Sequence, residues 1–314
     1  MQAPARSRAA ALIERLSIPV VCAPMFLISG VSLVSEACKA GIIGAIPSAN
    51  ARDEFQFADW MDQLYAEVAN LPANGTPPGP IAANLNVRAG ERIMTPRFEA
   101  DLQTCRRHHT EIVITVNGDP TPVVREVHDW GGLVFHDVTT IRHARRAAAA
   151  GVDGLVLVCS GGGGHSGLLN PFTFVPQVRE FFAGTIILAG AIGTGRAVRA
   201  AQVMGADLCY MGTRFIATQE SMACERYKQM LVEAESADLV YTPAFSRGVP
   251  AMLLKSSLRE AGFDPDKLPS QEEAAAAKPR VWRDIWAAGQ SVGVIEDIPR
   301  VAELVARLIA EYRE

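Results

Sequence analysis

The sequence predicts an α/β protein, a closed (β/α)8 barrel with a helical insertion after the eighth strand. Three observations point there: eight short apolar runs rich in Val and Ile, helix-like connections between them, and glycine-rich turns where the last strands end. The 314 residues suffice for one large barrel or two ordinary domains. Hydrophobic residues make up 49% of the chain and charged residues 20%, so a packed core is expected.

The runs, in order, are Ile18–Ala23, Ile42–Ile46, Ile81–Leu85, Ile112–Val116, Gly132–Val138, Gly154–Cys159, Ile186–Gly190 and Leu208–Gly212. Each has about the length of a buried strand. Their apolar character is continuous rather than alternating, which suits parallel strands covered on both faces. Ser32–Ala40 reads as the first connecting helix, with a Ser cap and a closing Gly41. Leu71–Pro80 is a Pro/Gly connection. Phe98–His109 and Pro120–Trp130 precede the fourth and fifth strands, Thr140–Ala150 ends at Gly151, and Arg196–Met204 ends at Gly205. Strand and helix alternating eight times is the pattern of a closed barrel, with a doubly wound open sheet as the alternative, since periodicity does not show closure.

Beyond the eighth strand, Gln219–Ala234 reads as helix, Tyr241–Arg247 as a turn and Gly262–Arg280 as a polar connection. Ile298–Tyr312 is an amphipathic closing helix, with Val301, Leu304, Val305 and Leu308 at helical spacing. The expected organisation is barrel over 1–216, a helical insertion packed on it over 217–290, and a closing barrel helix over 291–314.

The formal net charge is −4 and no basic block is present, which argues against a nucleic-acid partner. No apolar run reaches bilayer length, and Glu14 and Arg15 cut short the N-terminal one. A cytoplasmic protein without membrane contact is therefore expected. Cys22, Cys38, Cys105, Cys159, Cys209 and Cys224 form no C-x-x-C pair, and most read as buried, reduced thiols. No Cys/His cluster has metal-ligand spacing, so no metal site is expected.

In such a barrel the chemistry belongs at the C-terminal ends of the strands. The last two runs end in the glycine-rich turns Leu188–Gly195 and Tyr210–Thr213. Glycines let backbone N–H groups approach a phosphate, and a helix N-terminus adds a favourable dipole. Ordinary strand–helix turns also need glycine, but two of them at this location point to a phosphate group. The sixth run ends in Cys159, Ser160, four glycines (161–164) and His165. Four successive glycines are costly to order. They suit a backbone that passes close to a flat ligand or adopts conformations closed to side chains. His165 then stands at the rim of the site, with a pKa range suited to proton transfer. Pro24 and Met25 follow the first run, and Met25 offers a polarizable surface for a ring, although a methionine here, taken alone, is more often core than cofactor contact. Asn84 and Asn86 break the third run, where an amide can meet a heterocycle edge or cap a turn.

Taken together, the Ala23-Pro24-Met25 segment, Asn84, the Gly163-Gly164-His165-Ser166-Gly167 loop and the block from Ala189 through Met211-Gly212-Thr213-Arg214-Phe215 resemble the nitronate monooxygenases, formerly called 2-nitropropane dioxygenases. Thr242–Ser246 and Trp286–Ser291 are similar to family segments too, and the likeness covers nearly the whole chain. The same superfamily holds NAD(P)H:quinone reductases and FMN-dependent enoyl-thioester reductases. The resemblance implies a TIM barrel carrying non-covalent FMN. It implies that Gly190, Ala191, Gly193, Gly212 and Thr213 hold the phosphate, and that Ala23, Pro24, Met25 and Asn84 line the flavin. Gly163 and Gly164 would pass near its reactive edge, and His165 would be the catalytic histidine. The chain departs from the family pattern at Asp137, where relatives often carry lysine, and Arg142, Arg214 or a helix dipole are the candidates to take over that charge. Glycines also replace larger residues before His165, which would widen the pocket around it.

The expected function is oxidation of an alkyl nitronate with oxygen to a carbonyl compound and nitrite. The alternative is an NAD(P)H-dependent flavin reductase for quinones or unsaturated acyl thioesters, with NAD(P)H as co-substrate. A third alternative is a non-redox phosphate-binding barrel. The partner expected is a small-molecule substrate, with a homodimer left open.

Overall fold

Runs that are apolar along nearly their whole length are satisfied where both faces of a strand are covered, the inner face by closing the sheet and the outer face by helices. The computed structural model describes residues 5–69, 77–87, 95–246 and 248–314. The strands are β1 (Val20–Cys22), β2 (Ile43–Pro47), β3 (Ile81–Asn86), β4 (Ile112–Val116), β5 (Leu133–Val138), β6 (Gly154–Val158), β7 (Gly164–His165), β8 (Thr185–Ala189), β9 (Leu208–Met211), β10 (Leu239–Thr242) and β11 (Ala251–Leu254). β1 to β6, β8 and β9 form a closed, parallel barrel in that order, and β9 returns to pair with β1 through Val20↔Cys209 and Val21↔Tyr210. Closure removes the open-sheet alternative. All eight apolar runs are barrel strands, within two residues of their expected bounds at either end.

The helices are α1 (Ala5–Glu14), α2 (Val31–Lys39), α3 (Glu54–Ala69), α4 (Pro96–Arg107), α5 (Thr121–Asp129), α6 (Ile141–Ala149), α7 (Pro171–Arg179), α8 (Gly195–Val203), α9 (Thr213–Ile216), α10 (Glu225–Glu233), α11 (Lys255–Glu260), α12 (Gln271–Ala276) and α13 (Val301–Arg313). Strand residues alternate between two cores. Helix residues such as Leu33, Val34 and Val198 share the outer core with outward strand residues such as Val113 and Val134. Val21, Ile43, Ala45, Ala82, Ile114, Phe135, Val156, Ile187 and Leu208 fill the barrel itself, together with Ala9 and Leu12 of α1. α13 packs on α8 and α2 through Val301, Leu304, Val305 and Leu308, which completes the helical ring as its spacing predicts.

Several elements differ from expectation, each for a local reason. α2 begins behind Gly30 with no side-chain cap, so Ser32 is not its cap. Helix forms over Glu225–Glu233 rather than from Gln219, because Thr218 and Ser221 turn their hydroxyls back onto Phe215 and Ile216 carbonyls. Tyr241 and Thr242 end β10 rather than start a turn; Arg247 lies outside the described residues, as do residues 71–76 of the Pro/Gly connection. The polar connection 262–280 contains α12, opened by a reciprocal Ser270/Glu273 capping box. The segment after the barrel is therefore not helices alone. β10 and β11 form a hairpin, and β11 pairs with β7, placing Ala251 opposite His165.

Five of the cysteines are buried and Cys224 is exposed; none is in a disulfide. Among the described residues no helix is long and apolar enough to cross a membrane.

Candidate functional site

Side chains two residues apart on a strand share a face. Two residues beyond the inward-facing Val21, Ala45, Ala82, Ile114, Phe135, Val156, Ile187 and Leu208 stand Ala23, Pro47, Asn84, Val116, Asp137, Val158, Ala189 and Tyr210. All eight line one cavity of about 490 Å³ at the C-terminal ends of the strands. The barrel thus supplies a floor with one residue from each strand. The walls come from the strand exits at Pro24–Phe26, Gly161–His165, Gly190–Ile192 and Gly212–Thr213, and from Tyr227, Trp282, Trp286, Ala287, Gly289 and Ser291 of the later chain.

Eleven of the twelve residues singled out from the sequence line this cavity: Ala23, Pro24, Met25, Asn84, Gly163, Gly164, His165, Gly190, Ala191, Gly212 and Thr213. Gly193 does not. A Cβ there would come within 2.6 Å of Val294 Cγ2, so this glycine lets the later chain pack against the turn before α8.

The glycine run owes its composition to a protein neighbour. A Cβ on Gly163 would lie 2.8 Å from Gly289 N, and one on Gly289 would lie 2.6 Å from Gly161 O. Gly161 and Gly164 also hold φ values of 82° and 66°, in the left-handed region. Gly161 O accepts from Gln290 N at 2.8 Å, and Thr213 Oγ1 accepts from Gly289 N at 2.9 Å. Residue 289 therefore ties the glycine run to the exit of β9. Ala191 takes a φ of 56° after Gly190, a strained turn at the exit of β8.

His165 is held by pairing rather than by a free loop, since β7 is the third strand of the sheet with β10 and β11. Its ring meets Trp282 edge-on, centroids 5.3 Å apart and planes at 81°. The residue is open on its cavity side, yet the surrounding bulk lowers its pKa from the ordinary 6.5 by desolvation, so the imidazole is neutral at pH 7. Tyr227 stacks on Trp286 at 4.9 Å and donates its hydroxyl to Ala287 O, which fixes the wall beyond Trp282.

On the floor, burial pushes the Asp137 carboxyl up to about 7. The Tyr210 phenol is raised well above its ordinary value, first by burial and next by Asp137. Neighbouring His136 faces the helices, bonds to Thr115 Oγ1 at 2.8 Å and is pushed down to about 4 by burial. The arginines considered as replacement charges are elsewhere. Arg142 is exposed on α6, and the buried Arg214 bonds to Ala217 O and to Asp297 at 2.7 Å. Among the described residues lining the cavity there is no lysine or arginine.

These residues fit a flavin mononucleotide. Ala23, Pro24 and Met25 give an apolar surface for a ring, the floor carries three polar groups for its edge, and two turns of backbone N–H suit a phosphate without a cation. Trp282, Trp286, Tyr227, Tyr210 and Gly289 were not legible as site residues, although Trp286 and Gly289 lie in the Trp286–Ser291 segment that resembles the family.

A family model described as nitronate monooxygenase matches residues 8–311. A Mycobacterium tuberculosis protein named (3aS,4S,5R,7aS)-5-hydroxy-7a-methyl-1-oxo-octahydro-1H-indene-4-carboxyl-CoA dehydrogenase is 28% identical over 245 residues, 77% of this chain and 64% of that one. The chain thus spans just under two thirds of that relative. A probable nitronate monooxygenase of Staphylococcus haemolyticus is 25% identical over 240 residues, covering 69% of this chain and 67% of that one. FabK from Thermotoga maritima superposes with a TM-score of 0.80 at 25% identity over 98% of this chain and 96% of that one. A nitroalkane oxidase from Streptomyces ansochromogenes shares the fold, with a TM-score of 0.77 at 23% identity over 96% and 98% of the two chains. With a family match spanning nearly every residue and the same barrel in solved relatives, this chain belongs to the nitronate monooxygenase family.

Proposed function

We propose that this chain is an FMN-dependent oxidoreductase acting on alkyl nitronates and their parent nitroalkanes, consuming oxygen and giving a carbonyl compound and nitrite. The observation that carries the reading is His165, a neutral imidazole fixed by strand pairing on the wall of a cavity whose residues fit FMN. Backbone N–H groups of Gly190, Ala191, Gly212 and Thr213 hold the phosphate; Ala23, Pro24, Met25 and Asn84 line the ring. When bound, FMN supplies the electron transfer from substrate to oxygen. A ring nitrogen of His165 takes the α-proton of a neutral nitroalkane, or donates a hydrogen bond to the oxygens of a nitronate. Trp282 meets the imidazole edge-on, and Trp286 stacked on Tyr227 adds apolar surface to the cavity wall.

A second reading is favoured by the aromatic walls. Phe26, Trp282 and Trp286 offer a broad apolar surface suited to a bulky acceptor, and the Mycobacterium relative carries an acyl-CoA substrate in its name. In that case His165 would be the proton donor, and bound FMN would supply the hydride chemistry between NAD(P)H and an unsaturated acyl thioester or a quinone. Anaerobic mixing of the FMN-loaded protein with NAD(P)H, followed by visible absorbance, separates the two. Rapid bleaching by NAD(P)H supports the reductase. No bleaching by NAD(P)H, but bleaching by an alkyl nitronate and nitrite release in air, supports the monooxygenase.

A further inference from the structure

Two polar side chains on the cavity floor have no hydrogen-bond partner among the described residues. Asp137 on β5 and Tyr210 on β9 both face the barrel interior and line the cavity. Asp137 Oδ1 and Tyr210 OH are each shut off from solvent and make no hydrogen bond. Such a group is costly to bury unsatisfied, so two at one place call for a partner from outside. Arg106 Nε, Ser166 Oγ and Ser256 Oγ also lack partners, but none of those residues lines the cavity.

We propose that Asp137, in its carboxylic-acid form, and the Tyr210 hydroxyl donate hydrogen bonds to the acceptor atoms at the pyrimidine end of the flavin, so that FMN binding at alkaline pH takes up one proton. The inference rests on the FMN reading above. The donor–acceptor pattern supports it. An acid O–H and a phenol O–H are two donors, and Asn84 gives its amide N–H to Ile114 O at 3.2 Å, leaving Oδ1 to accept. Two donors and one acceptor complement the carbonyls and imide N–H of that ring. A carboxylate in the same place would face electron-rich carbonyls, with no lysine or arginine among the described lining residues to offset it.

The surroundings favour the neutral acid. The floor positions from the other strands are Ala23, Pro47, Asn84, Val116, Val158 and Ala189, none of them ionisable. The titratable groups facing the pair are the two residues themselves and the Cys22 thiol behind β1. His165 and Tyr227 complete the titratable residues of the described lining, apart from the floor. Burial pushes Asp137 up to about 7, so the proton is present at neutral pH without large cost. In the binding step, the Asp137 carboxylate, one proton and FMN combine into the complex; no electrons move.

The test is FMN titration of the apoprotein by fluorescence quenching from pH 5.5 to 9, using wild type, Asp137→Asn and Tyr210→Phe, with circular dichroism to confirm folding. The Asp137→Asn amide donates an N–H at every pH, and the ionisation of the FMN phosphate is common to all three proteins. The ratio of wild-type Kd to Asp137→Asn Kd is expected to be level near pH 6 and to rise toward about tenfold per pH unit above 7. Tyr210→Phe is expected to weaken binding at every pH by about three- to tenfold. A ratio that stays flat to pH 9, with FMN bound, overturns this inference alone. Wild type that binds no FMN at any pH overturns the cofactor reading and this inference with it.

Discussion

The floor of the cavity and the wall that carries His165 are built in different ways. Each floor residue continues a strand that is buried on both faces, so its direction is set by the two-residue repeat and by barrel closure. The wall joins segments far apart in the chain: β7 lies against β11, and Gly289 lies against the glycine run. The floor therefore belongs to the barrel, while the wall exists only when the later chain has docked. A variant in one should leave the other intact, which makes the division testable.

The largest effect is expected on the wall. His165→Ala should lower kcat by about 10²- to 10⁴-fold, with FMN affinity unchanged, because the ring-lining and phosphate-facing residues are untouched. Steady-state turnover and an FMN titration on the same preparation check this. Loss of FMN together with turnover would mean that wall and floor are one cooperative unit.

Two glycines sharpen the same comparison. A side chain on Gly289 would press on Gly161 O and Gly163 N, which are backbone and cannot swing aside. Gly289→Val should cost about 1–3 kcal/mol of stability in the apoprotein. Gly212 differs, since the nearest atoms to a Cβ there are Met25 Sδ at 3.4 Å, Met25 Cγ at 3.8 Å and Ala23 Cβ at 3.9 Å, ordinary contacts. Gly212→Asp should leave the melting temperature nearly unchanged but weaken FMN by about tenfold or more, by placing a carboxylate beside the phosphate. Equal loss of stability in both variants would show that Gly212, too, is a packing glycine.

What the sequence revealed follows the same division. The barrel strands were legible because double-sided burial demands continuous Val/Ile runs, and those runs need no knowledge of partners. Asp137 was legible as a departure but not as a floor residue, because its inward direction depends on the register of β5 between β4 and β6. β7 was not legible at all: two residues, Gly164 and His165, form a strand only because Ala251 and Met252 come to lie beside them. Trp282 was not legible either: its φ of 71° belongs to a local turn in which its N–H donates to Ile285 O, and its place in the site depends on that turn lying beside His165. α12 is different, for its Ser270/Glu273 capping signature stands in the sequence, inside a stretch whose polar composition otherwise reads as a connection.

The smallest expected effect concerns the floor without any ligand. Burial raises the Asp137 pKa from the ordinary 3.8 to about 7. Between those values the folded protein keeps a proton that the unfolded chain releases, so stability falls as pH rises through this window and levels off above it. His136 acts in the opposite sense. Its pKa falls from 6.5 to about 4, so its contribution is present above 6.5 and is lost as pH drops through that range. Asp137→Asn removes the first effect and leaves the second. Urea unfolding of both apoproteins at pH 6 and pH 8 should show wild type losing about 1 kcal/mol relative to Asp137→Asn over that interval. An unchanged difference between the two proteins at both pH values would mean that water enters the floor and ionises Asp137 freely, and the side chain would then belong to the solvent-filled part of the cavity rather than to the barrel core.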